Sequence, residues 1–574
     1  MARHVFLCNS IPTVGEASTV LTPNENAAAA LGVRHLSLDN MARMSLVGKR
    51  IANPVEVSRL SRAAVEAALD VSDPAGVART LLPPVREVFR SGADVDADPG
   101  SSRARRVFGV ARAYRSLLRE RGLVDPAEVV GEAAGCSPPE RPVRLYGYPR
   151  LGADETAFLD AVAADGSEVY LPYAEEPLFA ENLRTAEELC RRGWRLEKEP
   201  APSAWTIGEG ISVGAQVYPH REAEVRGALA QIKELLADGA NPKEIVLVSR
   251  DDSGYGPTVL AVAREYGVPV RALYRVPLTD TRLGSWLSRL LEASAAGFPF
   301  EETACLLRHP MGPGLPPEPW IAARASQASG VEGWAEVGVD LADLSLASSW
   351  PAEDVRAGWV ARTEAFLRHY GIEDRANAWP REAVALSHLE DALGWLASPE
   401  DQRVPRAEFL RELSELLHLV TTPEQPEGRG VALHTPLSLF GARYRYVFVV
   451  GLVEGEFPAH VGDDPALDFH ERRLLRARGV RLELAAERGR RERLSFHELL
   501  KVPTECLTLS RPRLVERREA LPSPYFGMLG LEAARPDRLP VASPEEARRS
   551  FLPSEEGAYS GDPVVEGARE RWRV

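Results

Sequence analysis

The most apolar run of the chain is Tyr446–Val453, which reads YVFVVGLV. It has the length of a single strand and is far too short to cross a membrane as a helix. A run without polar alternation is typical of a strand that is buried on both faces, and such strands occur in parallel sheets covered by helices. The run therefore predicts an α/β fold built around a central parallel strand.

Shorter apolar runs alternate with segments of helical period on both sides of this strand, as in strand–helix–strand units of a parallel sheet. We expect two RecA-like parallel-sheet domains, 1–205 and 206–525, followed by a C-terminal tail, 526–574. Helical periodicity at about 51–135 and about 296–427 predicts one helical insertion in each domain. The predicted strands are His4–Leu7, Thr19–Leu21, 143–148, 168–172, 244–249, 268–273, 430–435, 446–453 and 506–510.

Lysine is scarce, with five lysines among 69 basic residues. A P-loop requires GxxxxGK[ST], because its backbone N–H groups cradle the phosphates and its lysine reaches the β- and γ-phosphates. The only Gly-Lys pair is Gly48-Lys49; Arg50 follows it where Ser or Thr is needed, and Arg43 takes the place of the first glycine. The sequence thus lacks a standard ATP-binding loop.

Metal-dependent motifs are missing from the sequence as well. None of the five lysines has an acidic residue two positions earlier, as a (D/E)xK nuclease needs, and His497-Glu498 does not continue as HExxH. The five cysteines are far apart and form no CxxC pair, which favours a reducing cytoplasm. We therefore expect no catalytic residues, no metal and no cofactor in this chain.

Nucleic-acid contacts, if present, must be local, because the net charge is −14. The arginines of the charged segment 487–493 could face phosphates. The alternative is that they form a solvated helix face, paired with the segment's own glutamates. Core packing is likewise the rival of base stacking for Trp194, Trp205, Trp286 and Trp320. The candidate DNA-binding residues are Arg250, Arg443, Arg445, Arg490, Arg491 and Arg493.

The loop Glu454–Pro458 follows the apolar strand, so we expect it at the carboxyl edge of the sheet. Ligands of open α/β sheets bind at that edge. A plain turn, closed by Gly455 and Pro458, is the alternative.

Several segments, in their order along the chain, resemble superfamily 1 helicases of the UvrD/Rep type. They look most like the AddB branch of the helicase–nuclease family. The segments are 20–32 (VLTPNENAAAALG), 143–162 (VRLYGYPRLGADETAFLDAV), 221–250 (REAEVRGALAQIKELLADGANPKEIVLVSR), 445–458 (RYVFVVGLVEGEFP) and 490–496 (RRERLSF).

This resemblance implies two RecA-like domains and a role in DNA double-strand-break processing and recombinational repair. Active relatives keep an Asp-Glu pair after the strand at 143–146, whereas the first acidic residues here are Asp154 and Glu155. The chain is therefore similar to inactivated members such as RecC. The implied function is a non-catalytic DNA scaffold that binds single strands or duplex ends, beside an AddA/RecB-like subunit that hydrolyses ATP.

The C-terminal segments 559–562 and 569–574 resemble the start of the nuclease domain of this family, which is absent here, so the product is either short or part of a longer one. Two other functions stay open at this stage. The chain could be an active helicase or nuclease with non-standard motifs, or a stand-alone structural or binding protein that kept only the fold.

Overall fold

The predicted central strand forms at Tyr444–Val450. It pairs in parallel with Ile245–Ser249 on one side and with Pro503–Val515 on the other. This computed structural model describes residues 2–9, 19–136, 138–199, 205–397, 402–426, 428–536 and 541–551. The last four residues of the strand are buried, so its apolar sequence reflects coverage of both faces of the sheet.

The sheet around this strand, called the second sheet, has seven strands, and all but the last short one pair in parallel. Its long strand Pro503–Val515 also pairs with Ser212–His220. The main order across the sheet is Val270–Ala272, Val431–His434, Ile245–Ser249, Tyr444–Val450, Pro503–Val515 and Arg518–Glu519.

The first sheet has five strands, all parallel. Two parallel sheets with helical connections confirm the predicted α/β class. A two-residue pair, Arg50–Ile51 with Leu123–Val124, is also parallel. The order in the first sheet is Thr19–Leu21, Val143–Leu145, Glu168–Leu171, His4–Leu7 and Arg195–Lys198.

The chain divides into two compact units, and both sheets belong to the first one, residues 1–51, 60–272 and 428–574. The division into two sheet domains at residue 205 therefore stays a prediction. The described residues of this first unit form three short 3-10 helices, at Pro177–Phe179, Pro242–Glu244 and Pro436–Leu439. The α-helices of this unit are Glu25–Ala30, Leu38–Ser45, Pro74–Arg90, Ser102–Glu120, Val129–Gly135, Ala153–Val162, Ala180–Arg191, Arg221–Ala237, Asp252–Tyr266, Phe469–Ala477, Ala485–Leu499, Pro524–Met528 and Pro544–Phe551.

The second unit, residues 52–59 and 273–427, is mainly helical, as its periodicity predicts. Its core contains the fully buried Trp286, Trp334 and Trp359. Two antiparallel pairs, Arg275–Pro277 with Thr421–Pro423 and Glu353–Val355 with Arg403–Pro405, are its strands. Its helices are Leu278–Asp280 (3-10), Arg282–Ala295, Phe300–Arg308, Pro317–Ser326, Gly330–Glu336, Leu346–Ser349, Arg356–His369, Ile372–Asn377, Pro380–Leu396 and Arg406–Leu419, and helix Pro54–Ala68 begins in it.

Among the helices of the described ranges, none is both long enough and apolar enough to cross a membrane. The segments 559–562 and 569–574, which resemble the start of a nuclease domain, lie outside the described residues.

Candidate functional site

The helix Ala485–Leu499, called the charged helix, packs against the cores of both sheets. Leu494 is part of the core of the first sheet. Phe496 and Leu499, only a few residues further on, are part of the core of the second sheet. The charged helix belongs to the connection 451–502 between two strands of the second sheet, called the bridging segment. Apolar contacts on both sides fix this helix between the two sheets.

The polar face of the charged helix lines a cleft of about 1410 Å³. Residues from connections of both sheets form its walls, and both cationic and anionic side chains line them. Charged residues of the lining include Arg150, Glu181, Arg250, Arg476, Glu483 and Arg491.

Ion pairs connect Arg490 and Arg491 of the charged helix to neighbouring elements. Arg490 donates two hydrogen bonds to Glu181, at 2.7 and 3.0 Å, on the helix Ala180–Arg191. Arg491 pairs with Glu483 at 3.0 Å. The rival interpretation, a helix paired with its own glutamates, is therefore incomplete, because the main partners lie outside the helix.

Glu487 lies at the centre of this network and is nearly buried. Its carboxylate accepts hydrogen bonds from Arg476 at 2.6 Å, from Arg184 at 3.1 Å and from the backbone N–H of Leu484. Burial raises the pKa of Glu487, but these hydrogen bonds outweigh it and lower the pKa to about 2. The carboxylate is therefore charged at neutral pH and holds two guanidinium groups in place.

Arg250 lies directly after the strand Ile245–Ser249, at the carboxyl edge of the second sheet. It forms a two-pronged pair with Glu492 of the charged helix, with N–O distances of 2.8 and 3.0 Å. The hydrogen bonds with Glu492 raise the pKa of the guanidinium. Arg250 thus joins the edge of the sheet to the cleft.

The other predicted arginines do not converge with Arg250 on one surface. Arg443 donates to the carbonyl of Lys501, and Arg445 pairs with Glu505 at 2.6 Å near the amino end of its strand, opposite the edge that carries Arg250. Arg493 is exposed, and its side chain has no ion pair with any residue in the described ranges. Of the six candidates, Arg493 has the guanidinium best available to a phosphate, and their role in DNA binding stays a prediction.

The four tryptophans considered for base stacking pack against cores. Trp194 and Trp286 are buried in the cores of the first sheet and of the second unit. Trp205 and Trp320 are partly buried against apolar clusters.

A second cavity, of about 500 Å³, lies at the carboxyl edge of the second sheet and is called the edge pocket. The predicted loop contributes Glu454, Gly455 and Glu456 to its lining. The alternative prediction for this loop, a plain turn, also holds in part, since Gly455 has a φ of +82° and closes a turn. Sequence reasoning missed Arg221, which stands across the pocket and pairs with Glu456 at 3.3 Å, because no spacing links residues 235 positions apart.

Glu224 is fully buried near this edge. Its carboxylate accepts hydrogen bonds from the hydroxyls of Tyr255 and Ser510 and from the backbone N–H of Gly451. Burial raises the pKa of Glu224 to about 7, and the three hydrogen bonds oppose that rise only in part. Glu224, on one helix, thus connects the end of the strand Tyr444–Val450 and the middle of the strand Pro503–Val515 to Tyr255 on a second helix, and no sequence signal distinguishes it from other helical glutamates.

At the carboxyl edge of the first sheet, a small cavity of about 40 Å³ has Cys8, Asn9, Tyr146 and Lys501 in its lining. The Lys501 ammonium donates to the Asn9 side chain at 2.8 Å and to Glu498 at 2.7 Å. A lysine of the bridging segment is therefore bound to the loop that follows the first strand of the chain.

Within the described ranges, no three His, Cys, Asp or Glu side chains are grouped as metal ligands would be. A scan against protein-family models gives no match for this chain. A search of curated proteins also gives no match.

Proposed function

We propose that this chain is a non-catalytic, helicase-like subunit that acts as a DNA scaffold in the processing of double-strand breaks and in recombinational repair. In this proposal the two parallel sheets correspond to the two RecA-like folds of a superfamily 1 helicase. An AddA/RecB-like partner in the cytoplasm supplies ATP turnover. The observation that carries the proposal is the set of ion pairs across the cleft.

These ion pairs connect the bridging segment of the second sheet to helices and loops that precede residue 200. Arg481 pairs with Glu188 at 2.8 Å, and Arg150 pairs with Glu483 at 3.1 Å. They add to Arg490–Glu181, Arg184–Glu487, Arg472–Glu87 and Arg103–Asp468.

A cleft whose walls are joined by this many ion pairs is better suited to a rigid scaffold than to a motor domain. Hinge or shear closure requires contacts between moving parts to change in each cycle. Some of these pairs, such as Arg472–Glu87 and Arg490–Glu181, are partly buried, and separating a charge from its buried partner is costly. The missing P-loop sequence agrees with a subunit that does not drive such a cycle.

The test is purification of the tagged full-length chain from its native cells, followed by identification of bound proteins by mass. We expect a helicase with an intact P-loop and DNA-dependent ATP hydrolysis by the complex. Substituting the P-loop lysine of that partner should abolish hydrolysis. The matched substitution Lys49→Ala, at the single Gly-Lys pair of this chain, should leave hydrolysis unchanged.

ATP hydrolysis by the isolated chain would contradict the proposal and favour an active motor with non-standard motifs. Absence of both a helicase partner and DNA binding would instead favour a stand-alone protein.

A further inference from the structure

The strand Pro503–Val515 extends beyond its neighbour at the carboxyl edge of the second sheet. Its pairing with Tyr444–Val450 ends at Leu509, whereas the strand continues to Val515 and folds back at Arg518–Glu519. We call residues 511–519 the arginine hairpin. Ser212–His220 supports it on one side as far as Leu514. The hairpin is thus a supported arm that projects past the ends of the central strands.

Three arginines of this arm, Arg513, Arg517 and Arg518, are exposed. Their side chains form no ion pair or hydrogen bond with any residue that the structure describes. These side chains differ in this respect from the arginines that line the cleft, most of which have a carboxylate partner. Guanidinium groups without an internal partner are available to an external anion.

The turn of the hairpin is backbone-strained. Glu516 and Arg517 are its two central residues, and their φ angles are +48° and +66°. Two-residue hairpin turns with positive φ at both positions strongly prefer Asn-Gly or Gly-Gly, because other L-residues are strained there. The chain nevertheless has two charged residues at this tip, and strain of this kind is concentrated at functional sites.

The hairpin also borders the edge pocket. Val515, on its first strand, and Ala520, directly after its second strand, line that pocket together with Arg221 and Arg250. The hairpin therefore adjoins the cavity where the central strands end, which is the usual binding edge of α/β sheets.

We propose that the arginine hairpin binds the phosphodiester backbone of a single-stranded nucleic acid and guides the strand past the edge pocket. This inference rests on the proposed function and names the surface that makes the DNA contact. A chain with net charge −14 repels a polyanion over most of its surface, so contact requires a local cluster of unpaired cations. The hairpin supplies such a cluster.

The experiment is fluorescence anisotropy of the full-length chain with labelled oligothymidylate over a salt series. We compare the wild type with the variant Arg513→Ala/Arg517→Ala/Arg518→Ala. The matched control is Arg79→Ala/Arg106→Ala/Arg195→Ala, which removes three exposed arginines elsewhere in the same unit. The hairpin variant should lose at least about tenfold in affinity, and its salt slope should fall by about 2, because each phosphate neutralised on a single strand contributes about 0.7.

The control should bind like the wild type, and an Arg→Lys version of the hairpin variant should keep most of the slope, since lysine also neutralises phosphate. Oligouridylate, run in parallel, should show the same loss, because the contact is to the backbone; a loss confined to one sugar type would identify DNA or RNA as the source of the phosphates.

Equal binding by the hairpin variant and the control would overturn this inference. The proposed function would remain possible, with the DNA contact made by other residues. No binding by the wild type even at low salt would overturn the inference together with the DNA contact of the proposed function. If the hairpin variant loses a protein partner while its DNA binding is unchanged, the inference is wrong, and the hairpin instead binds an acidic surface of that protein.

Discussion

Arg472 and Glu87, which are 385 positions apart in the chain, form two parallel hydrogen bonds of 2.6 and 2.8 Å. Arg472 is only 4% exposed and also pairs with Asp464. Replacing Arg472 with Ala should lower the free energy of unfolding by about 2 kcal/mol, because it leaves the partly buried carboxylates of Glu87 and Asp464 without this cation. Urea unfolding measures the loss.

The neighbouring Arg473 is exposed on the same helix and gives a matched control. Arg473→Ala should change the free energy of unfolding by less than about 0.5 kcal/mol. Similar values for the two variants would show that the buried pair does not stabilise the fold.

Glu487 predicts a stability difference that depends on pH. Its pKa is about 2 in the folded chain, below the ordinary value of 4.5. Between these values the unfolded chain takes up a proton that the folded chain does not, so stability falls as the pH falls. Glu487→Gln should be less stable than the wild type at pH 7, and the gap should narrow as the pH falls from about 4.5 towards 2. A gap that does not change with pH would rule out the charged network as its cause.

Arg490 and Arg493 should give opposite results, although they lie on the same helix. Arg490→Ala breaks the pair with Glu181 and should lower stability by about 0.5–1 kcal/mol with little effect on the salt slope of DNA binding. Arg493→Ala removes an unpaired cation and should lower the slope by up to about 0.7 with little effect on stability. Thermal unfolding and anisotropy, measured on both variants, check this pair of outcomes; the reverse pattern would contradict the assigned contacts.

Isothermal titration of the isolated chain with Mg-ATP should give no specific binding at physiological concentration. The reason is the absence of the GxxxxGK[ST] sequence, since its lysine and backbone N–H groups supply most phosphate contacts in P-loop proteins. The Lys501 ammonium, near the edge of the first sheet, is already held by Asn9 and Glu498. Micromolar affinity would show that another loop binds the phosphates.

Relieving the strained turn should stabilise the protein. Replacing Glu516 and Arg517 with Asn and Gly fits the two positive φ angles and should raise the free energy of unfolding by about 1 kcal/mol. Glu519→Asn, outside the turn, serves as the control and should be close to neutral. The same double variant should lose some affinity for single-stranded DNA, because it removes one hairpin arginine. Lower stability of the double variant would argue against this turn geometry.

Local sequence patterns predict the strands and helices of this chain well, but not its charge pairs. The strand predicted at 446–453 forms at Tyr444–Val450, and the helix predicted at 221–237 forms with those bounds, because burial and period are local properties. The strand Ser212–His220 was missed, since it contains Gly214 and Pro219 and its residues are mostly half-buried. The partners of Arg250 and Arg490, namely Glu492 and Glu181, are 242 and 309 positions away, and only the folded chain brings them together.

The order of strands in the two sheets sets the order in which a nascent chain can complete them. The first sheet needs no residue beyond Lys198. In the second sheet, the fully buried strand Ile245–Ser249 lies between Val431–His434 and Tyr444–Val450, which are synthesised roughly 180 residues later. At ribosomal rates this takes about 10–40 s, during which both edges of the strand are unpaired. Dependence on chaperones should therefore concentrate in this interval of synthesis.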